Sequence, residues 1–555
     1  MTIDRPKASS LTLIMPTWTP GSYLIREFSK NIISISAKQK KTIQLEKIDK
    51  CSWALNCNKN ESLSISYTVY AFEKTVRTSF VDQHEAMLNG ASIFIVPRTQ
   101  MEEKIEVSIS KPKQWKTIST SLEKTGKTSF TAENFDELVD SPIQVGNQKI
   151  IDFQVNKVNH QYVVVGTSNL NKSQLVKDTT KILEKTYSLF NSFPYKSYKF
   201  FLHLENNMYG GLEHKNCSSL IYDPMGFKSK KDYQRFLGLV SHEFFHVYNV
   251  KRIRPKELGP FDYTKENYTQ LLWIAEGLTS YFDDLILCKA NILNAKEYLN
   301  RIAFSINTYE NQPGGQVQTL ADSSFDSWIK FYRPNENSIN ASISYYLKGS
   351  LVMLILDMLI IKTTESRKSL ENLLLILWEE YKKNGNGINE KNFFTYLKKI
   401  SNTNFELIEK YIHTTVSLDF DSVFKDFGVE LVKAYKNKNE KNEGYIGILL
   451  DESSMKIKSV LSNTPAEDSG LNVNDEIIAI NNRRVDSKSY EKSIKLTGTS
   501  KTLNFLVSRR GNLLPISVKT TSKPFNHFYI RQIKSPTEQQ KLFYKKWLGK
   551  DWSDA

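Results

Sequence analysis

Two hydrophobic periods alternate along the chain, and the change from one to the other divides it. Up to about residue 165, short apolar or alternating runs lie between turn residues, at 11–15, 63–72, 91–96, 104–110 and 162–165. That is the pattern of strands with one buried face, and it predicts an N-terminal β-sandwich over 1–165. A strand pattern begins almost at the first residue, so either a first strand or two is missing at a truncated start or the first domain is a reduced one. From about 170 the period becomes helical. The run 174–190 predicts an amphipathic helix and 198–204 a short strand. Helices are then predicted near 231–250, 269–288, 296–309, 342–362, 368–384, 390–400 and 404–414. This mostly helical region, 166–432, is the largest. A charged, Asn-rich stretch at 433–443 reads as a linker. Strand character returns over 444–523, and a tail at 524–555 carries the aromatic anchors Phe543, Tyr544 and Trp547. No internal repeat is visible. The expected class is multidomain α+β.

Composition narrows this picture. At 555 residues the chain exceeds a single hydrophobic core, and about three or four domains are expected. The net charge of +15 comes from lysines scattered among Asn and Ile rather than gathered. No basic stripe with interleaved aromatics appears, which argues against a nucleic-acid partner. The most apolar stretch, 351–361, falls short of the ~20 residues that cross a bilayer; it reads as a buried helix, and no transmembrane segment is expected. The start, Met-Thr-Ile-Asp-Arg-Pro-Lys, lacks the order of a secretory signal, so a cytoplasmic location is the expectation. Four cysteines, Cys51, Cys57, Cys217 and Cys288, make no disulfide framework. Cys51 and Cys57 could pair, but reduced thiols suit a cytosolic protein better, and Cys217 reads as a small buried residue.

The chemical signal is Ser241-His242-Glu243-Phe244-Phe245-His246. Histidines at i and i+4 on a helix share one face about 6 Å apart along the axis, so both imidazoles can bind one metal. A catalytic zinc takes three protein ligands and leaves one position for water, and the Glu beside the first His can move that water's proton. Only about 0.01 such matches are expected by chance in a chain with this histidine content. Leu237, Val240, Phe244 and Val247 form the apolar stripe such a helix needs. Two buried, hydrogen-bonded histidines are the plainer alternative. Glu276 is the best third ligand: it projects from a different side of the helix than the stripe of Leu271, Ile274, Ala275, Leu278, Tyr281, Phe282 and Leu285. Asp283 and Asp284 are candidates to orient a histidine.

At these residues the sequence resembles the glycyl aminopeptidase family, zinc peptidases of thermolysin-like fold with a C-terminal PDZ domain. The N-terminal run Met-Pro-Thr-Trp-Thr-Pro-Gly-Ser-Tyr from Met15 is similar to the family's β-domain signature. The run His242-Glu-Phe-Phe-His-Val-Tyr-Asn-Val-Lys-Arg-Ile-Arg-Pro255 is similar to its metal-binding helix, and Trp273-Ile-Ala-Glu-Gly277 to its third-ligand helix. The family usually carries more residues before the Met-Pro-Thr-Trp motif. The resemblance implies one zinc per chain and further roles. Gly210-Gly211-Leu212-Glu213 is similar to the Gly-x-x-Glu motif whose Glu grips a free α-amine. A carboxylate suits a cationic amine, and glycines let backbone approach an extended peptide. Tyr345-Tyr346-Leu347-Lys348-Gly349 is similar to an element whose tyrosine supports the oxyanion; Tyr346 fits by register, and Tyr345 stays open. The implied substrates are peptides with a free N-terminus and a small first residue, Gly or Ala.

The run Gly444-Tyr445-Ile446-Gly447-Ile448 followed by Thr464-Pro465-Ala466 and Asp475-Glu476-Ile477-Ile478 resembles a PDZ domain. Its Tyr445, Ile446 and Gly447 would form the loop whose amides hold a C-terminal peptide's carboxylate. A module that only packs on the peptidase is the equal alternative. Two other functions stay open: a zinc endopeptidase, in which Glu213 only lines the cleft, and a PDZ-based peptide-binding adaptor or holdase with an idle metal site. Nothing in the sequence speaks to oligomeric state.

Overall fold

A computed structural model of the chain describes residues 1–552. It clusters into two compact units. One is formed by Met1–Thr269, Phe282–Leu293 and Glu371–Tyr396, the other by Gln270–Tyr281, Asn294–Leu370 and Leu397–Ala555.

In the first unit the N-terminal strands form small antiparallel sheets rather than long ones. Ser10–Ile14 lies between Ser52–Asn56 and Val96–Pro97, and Ile32–Lys38 pairs with Leu63–Val69. Alternation sets the faces: Leu63 and Ile65 are buried while Ser64 and Ser66 are exposed, as a period of two requires. Leu11, Leu13, Trp53, Leu63, Ile65 and Phe135 share one core. The strand expected at 91–96 is mostly absent. A 3-10 turn, Gly90–Ser92, replaces it, with the Asn89 side chain accepting from the Ala91 amide. Gly90 lies so close to the main chain of Leu138 and Val139 that a Cβ there would come within 2.6 Å of the Leu138 oxygen. Packing, not strand pairing, buries that apolar run.

The strand read at 162–165 proves longer, Val158–Val165, and pairs in parallel with Ser197–Leu204. It belongs to a mixed five-stranded sheet in the order Lys149–Val155, Val158–Val165, Ser197–Leu204, Cys217–Tyr222, Tyr209–Glu213. The last of these is an edge strand. Two helices in this unit, Lys172–Phe190 and Lys230–Phe245, bury their apolar stripes. All four cysteines are free; burial pushes the Cys217 thiol up to about 12, so it is an inert packing residue.

In the second unit the helix expected at 269–288 opens instead with a π-helical turn, Trp273–Gly277, in which the Leu278 amide bonds the Trp273 carbonyl. Leu278–Lys289 continues it as α-helix. Helix Tyr345–Thr363, capped by Ser344, packs backbone to backbone on that turn: a Cβ on Gly277 would meet the Gly349 Cα at 2.7 Å. The stretch Ser338–Thr363 is long and apolar enough to cross a membrane, and most of it is buried inside the fold.

The expected linker at 433–443 is structured. Val429–Ala434 is a strand paired with His527–Gln532. Glu440 is buried and accepts from Lys523 at 3.1 Å and from Asn526. Half-buried partners for its charge, absent from a composition reading, hold it in place. Beyond it a sheet runs in the order Ile448–Asp451, Lys456–Val460, Glu476–Ile480, Thr502–Arg509, Asn512–Lys519, around a core that includes Ile446, Ile457, Leu471, Ile477, Phe505 and Val507. The tail is helix Glu538–Leu548, with Tyr544 and Trp547 fully buried.

Candidate metal centre

Helix Lys230–Phe245 starts at the Ser229 cap and carries His242 and Glu243 in its last turn, with His246 as its C-cap. Leu237, Val240, Phe244 and Val247 are all buried, as their stripe predicts. That anchors the opposite side of the helix and fixes where the two imidazoles emerge. Each ring is oriented by its Nδ1. His242 Nδ1 lies 3.0 Å from Asp283 Oδ2, and His246 Nδ1 lies 2.6 Å from the Asn249 carbonyl oxygen. Both partners only accept, so both Nδ1 atoms carry the proton and both Nε2 atoms present lone pairs. Those two Nε2 atoms face each other at 3.1 Å. Lone pairs so opposed repel unless a shared cation lies beside them. Two nitrogens each about 2.0–2.1 Å from one tetrahedral zinc are about 3.3 Å apart, so the pair fits a metal.

The segment after His246 serves this orientation. Arg252, buried, donates to the carbonyl oxygens of Val247, Pro194 and Lys215 and to Asn216 Oδ1. Tyr248 stacks on Phe190 with ring centroids 3.7 Å apart. Together they pin the turn whose Asn249 carbonyl holds His246. Asp140 takes Lys251 Nζ at 2.7 Å and His214 Nδ1 at 3.2 Å; the Lys251 charge and the His214 hydrogen bond hold its carboxyl well below the usual range despite burial.

Facing the histidine helix is the edge strand Tyr209–Glu213. Ligand atoms of Glu213, Glu243 and His246 all lie within 4.8 Å of one another, and all three residues are buried. Two glycines make this approach possible. A Cβ on Gly211 would lie 2.0 Å from Glu243 Oε1, and one on Gly21 would lie 2.5 Å from Glu213 Oε1. Gly21 also has φ +89, a left-handed conformation that favours glycine. Gly210, by contrast, has only ordinary neighbours at 3.6 Å and beyond. Glu213 Oε1 is buried with no hydrogen-bond partner. An orphaned carboxylate oxygen is costly to bury, and here it is an invitation to a cation. Beside it is a space of about 30 Å³ whose walls include Trp18, Tyr23, Val250 and Phe261. The roles of Gly21 and of Arg77, which donates to the Gly211 carbonyl at 3.3 Å, were missed in the sequence. A turn glycine says nothing about which carboxylate it faces.

In the second unit Glu276 is buried on the π-helical turn, and Tyr345 is buried while Tyr346 is half-buried. Tyr346 stacks on Tyr345 and Phe331 at 4.8 and 5.4 Å. Glu276 precedes Asp283, the partner of His242, by two turns of one continuous helical run. π-turns of this kind occur preferentially at functional sites, and the sequence pattern did not distinguish one here.

Comparison with known proteins decides the family. The profile of the M61 glycyl aminopeptidase family matches residues 235–352, and that of the M61 peptidase N-terminal domain matches 1–147. The chain belongs with the M61 glycyl aminopeptidases. A PDZ profile also matches 427–508. Among curated proteins none matches in sequence. Among solved structures, an aminopeptidase N family protein from Idiomarina loihiensis is similar at TM-score 0.91 and 28% identity, over 98% of this chain and 96% of that one. An M1 zinc metallopeptidase from Deinococcus radiodurans is similar at TM-score 0.47 and 10% identity, over 75% of this chain and 89% of that one; a likeness that loose carries no functional argument.

This M61 chain is therefore a metallopeptidase. In the region that the PDZ profile matches, Tyr445, Ile446 and Gly447 lead into strand Ile448–Asp451. Gly447 has φ +85, and a Cβ on it would lie 2.3 Å from Thr464. The carbonyls of Ile446 and Gly447 accept from the amides of Ala466 and Leu461, both at 2.8 Å. Tyr445 pairs with Thr521, and strand Ile448–Asp451 ends its sheet.

Proposed function

We propose that this M61 metallopeptidase is a zinc-dependent aminopeptidase that removes small N-terminal residues, Gly or Ala, from peptides. The observation that carries the reading is the pair of opposed Nε2 lone pairs at 3.1 Å beside two buried carboxylates, one of them orphaned. His242, His246 and Glu276 form the nitrogen and oxygen donor set that zinc favours, with one position left open. When bound, zinc lowers the pKa of a water and polarises the scissile carbonyl. Glu243 takes the attacking water's proton and returns it to the leaving amine. Glu213 accepts from the substrate's ammonium, which sets the cut at the first peptide bond. Tyr346 donates to the developing oxyanion, a contact worth ~3–4 kcal/mol in comparable sites. Space of about 30 Å³ beside Glu213 suits a hydrogen or methyl side chain and little more.

Zinc content and release from Gly-, Ala-, Leu- and Arg-anilides test the reading, with Glu243→Gln beside the wild type. The expected result is zinc in both, Gly and Ala release by the wild type only, and no cleavage of N-acetylated peptides. Cleavage of acetylated peptides would make the protein an endopeptidase. Zinc without hydrolysis of any free-amine peptide would favour the PDZ-based adaptor.

A further inference from the structure

Strand Tyr209–Glu213 and helix Lys230–Phe245, both in the first unit, share a second contact beyond the one at Gly211. The Arg235 guanidinium lies over the Tyr209 ring, 4.1 Å from its centroid. Period places this pair on the metal side of both elements. Residues 209, 211 and 213 of a strand point to one face, and Gly211 and Glu213 are the ones that approach Glu243. Arg235 precedes His242 on its helix by nearly two whole turns, so the two side chains share a face about 10 Å apart along the axis. The charges of Arg235, Asp283 and Glu243 all act on the Tyr209 phenol. The ring therefore stands within about 10 Å, a screening length, of the metal centre.

A guanidinium stacked on a ring keeps the hydrogen-bonding edge of its own plane free. Both residues are exposed, and among the described residues none accepts a hydrogen bond from Arg235 or offers it a carboxylate. Its fork can thus hold an incoming carboxylate through two parallel N–H bonds. The strand decides from which direction a substrate brings one. At one end Glu213 and His214 are buried, and His214 is tied to Asp140 at 3.2 Å. Exposure then rises along the strand toward Tyr209. An extended peptide whose ammonium rests on Glu213 therefore leaves past Gly211 toward Tyr209, along a strand that ends its sheet. The step from residue 213 to residue 209 covers about 13 Å, and an extended peptide of about four residues covers the same.

We propose that Arg235, braced on Tyr209, binds the C-terminal carboxylate of the substrate, so that free peptides of about four residues are the preferred substrates. This rests on the aminopeptidase reading, with Glu213 at the amine. The test uses the zinc-loaded full chain and compares kcat/KM for Ala-Ala-Ala-Ala with that for its C-terminal amide. A charge-assisted contact should give the free acid an advantage of about tenfold, mostly in KM, and about 1 M salt should remove most of it. Arg235→Gln should bring the acid-to-amide ratio to within about twofold, while Arg235→Lys, which keeps the charge but not the fork, should retain about threefold. Arg235 is exposed, so neither change threatens the fold. A wild type that cleaves acid and amide equally overturns the proposal, as does an Arg235→Gln variant that keeps the wild-type ratio. Arg235 then only shields the Tyr209 ring, and the aminopeptidase reading stands. Ala-Ala-Ala-Glu-amide should be cleaved as slowly as the all-Ala amide; recovery to the rate of the free acid would assign Arg235 to acidic side chains and overturn the terminal-carboxylate site. Failure to release Ala from any free-amine peptide or anilide overturns the aminopeptidase reading, and this site with it.

Discussion

Gly211→Ala tests the closest approach in the proposed site. The added Cβ would stand 2.0 Å from Glu243 Oε1 and 2.3 Å from its Cδ, where ordinary contact begins at 3.4 Å. Something must yield by roughly 1.4 Å, and misplacement of a catalytic group by ~1 Å costs about 10²-fold in rate. If the carboxylate yields, the base leaves the water it must deprotonate. If the edge strand yields instead, Glu213, two residues on, moves with it and the amine anchor is lost. Either way the expected fall in kcat/KM for Ala-anilide is about 10²-fold, or ~2.7 kcal/mol in barrier. Zinc content should not change, because His242 and His246 stand on the helix rather than on the strand. Gly210→Ala is the internal control: its Cβ would meet only Ile221 at 3.6 Å and Arg77 at 3.9 Å, so it should stay within about threefold of wild type. Steady-state kinetics with zinc quantified per chain decides the matter. Equal effects at 210 and 211, or a Gly211→Ala enzyme keeping a third of wild-type activity, would refute the close approach as a determinant of catalysis.

Asp283→Ala removes the acceptor that fixes the His242 tautomer; zinc affinity measured by chelator competition should fall about 10–100-fold, and an unchanged affinity would remove Asp283 from the site. Glu213→Gln leaves a substrate ammonium without its anion, for which a loss of about 10²-fold in kcat/KM, mostly in KM, is expected; a loss under threefold would mean the amine is held elsewhere. His160 and His203 are buried neutral, with burial lowering them from 6.5 to about 4 and about 3. The unfolded chain therefore binds more protons than the folded one between those values and 6.5, so stability falls as pH drops below 6.5. The two together cost about 5 kcal/mol by pH 4.5. Urea midpoints across pH 7 to 4.5 should decline less steeply in His203→Gln than in the wild type, and parallel slopes would contradict the buried-neutral account.

Period and spacing alone determined a good deal about this protein. The helices near 174–190, 296–309 and 390–400 are found at Lys172–Phe190, Ala295–Glu310 and Glu390–Ile400, because a continuous apolar stripe has one way to be buried. The His-Glu-x-x-His spacing sufficed to put both imidazoles on one face, since an α-helix fixes that geometry locally. Asp283 was within reach for the same reason, one of two adjacent acids on a helix already suspected. What the tertiary structure decided was everything set by contacts distant in sequence. Gly21 meets Glu213 and Gly211 meets Glu243 across long stretches of chain, and a glycine carries no mark of what it makes room for. The run 433–443 looks like a solvated linker because its composition is polar, yet a distant strand and Lys523 bind it. The π-turn at Trp273–Gly277 is likewise invisible to a 3.6-residue period. Its register follows from how Gly277 packs on Gly349, and local sequence does not encode that contact.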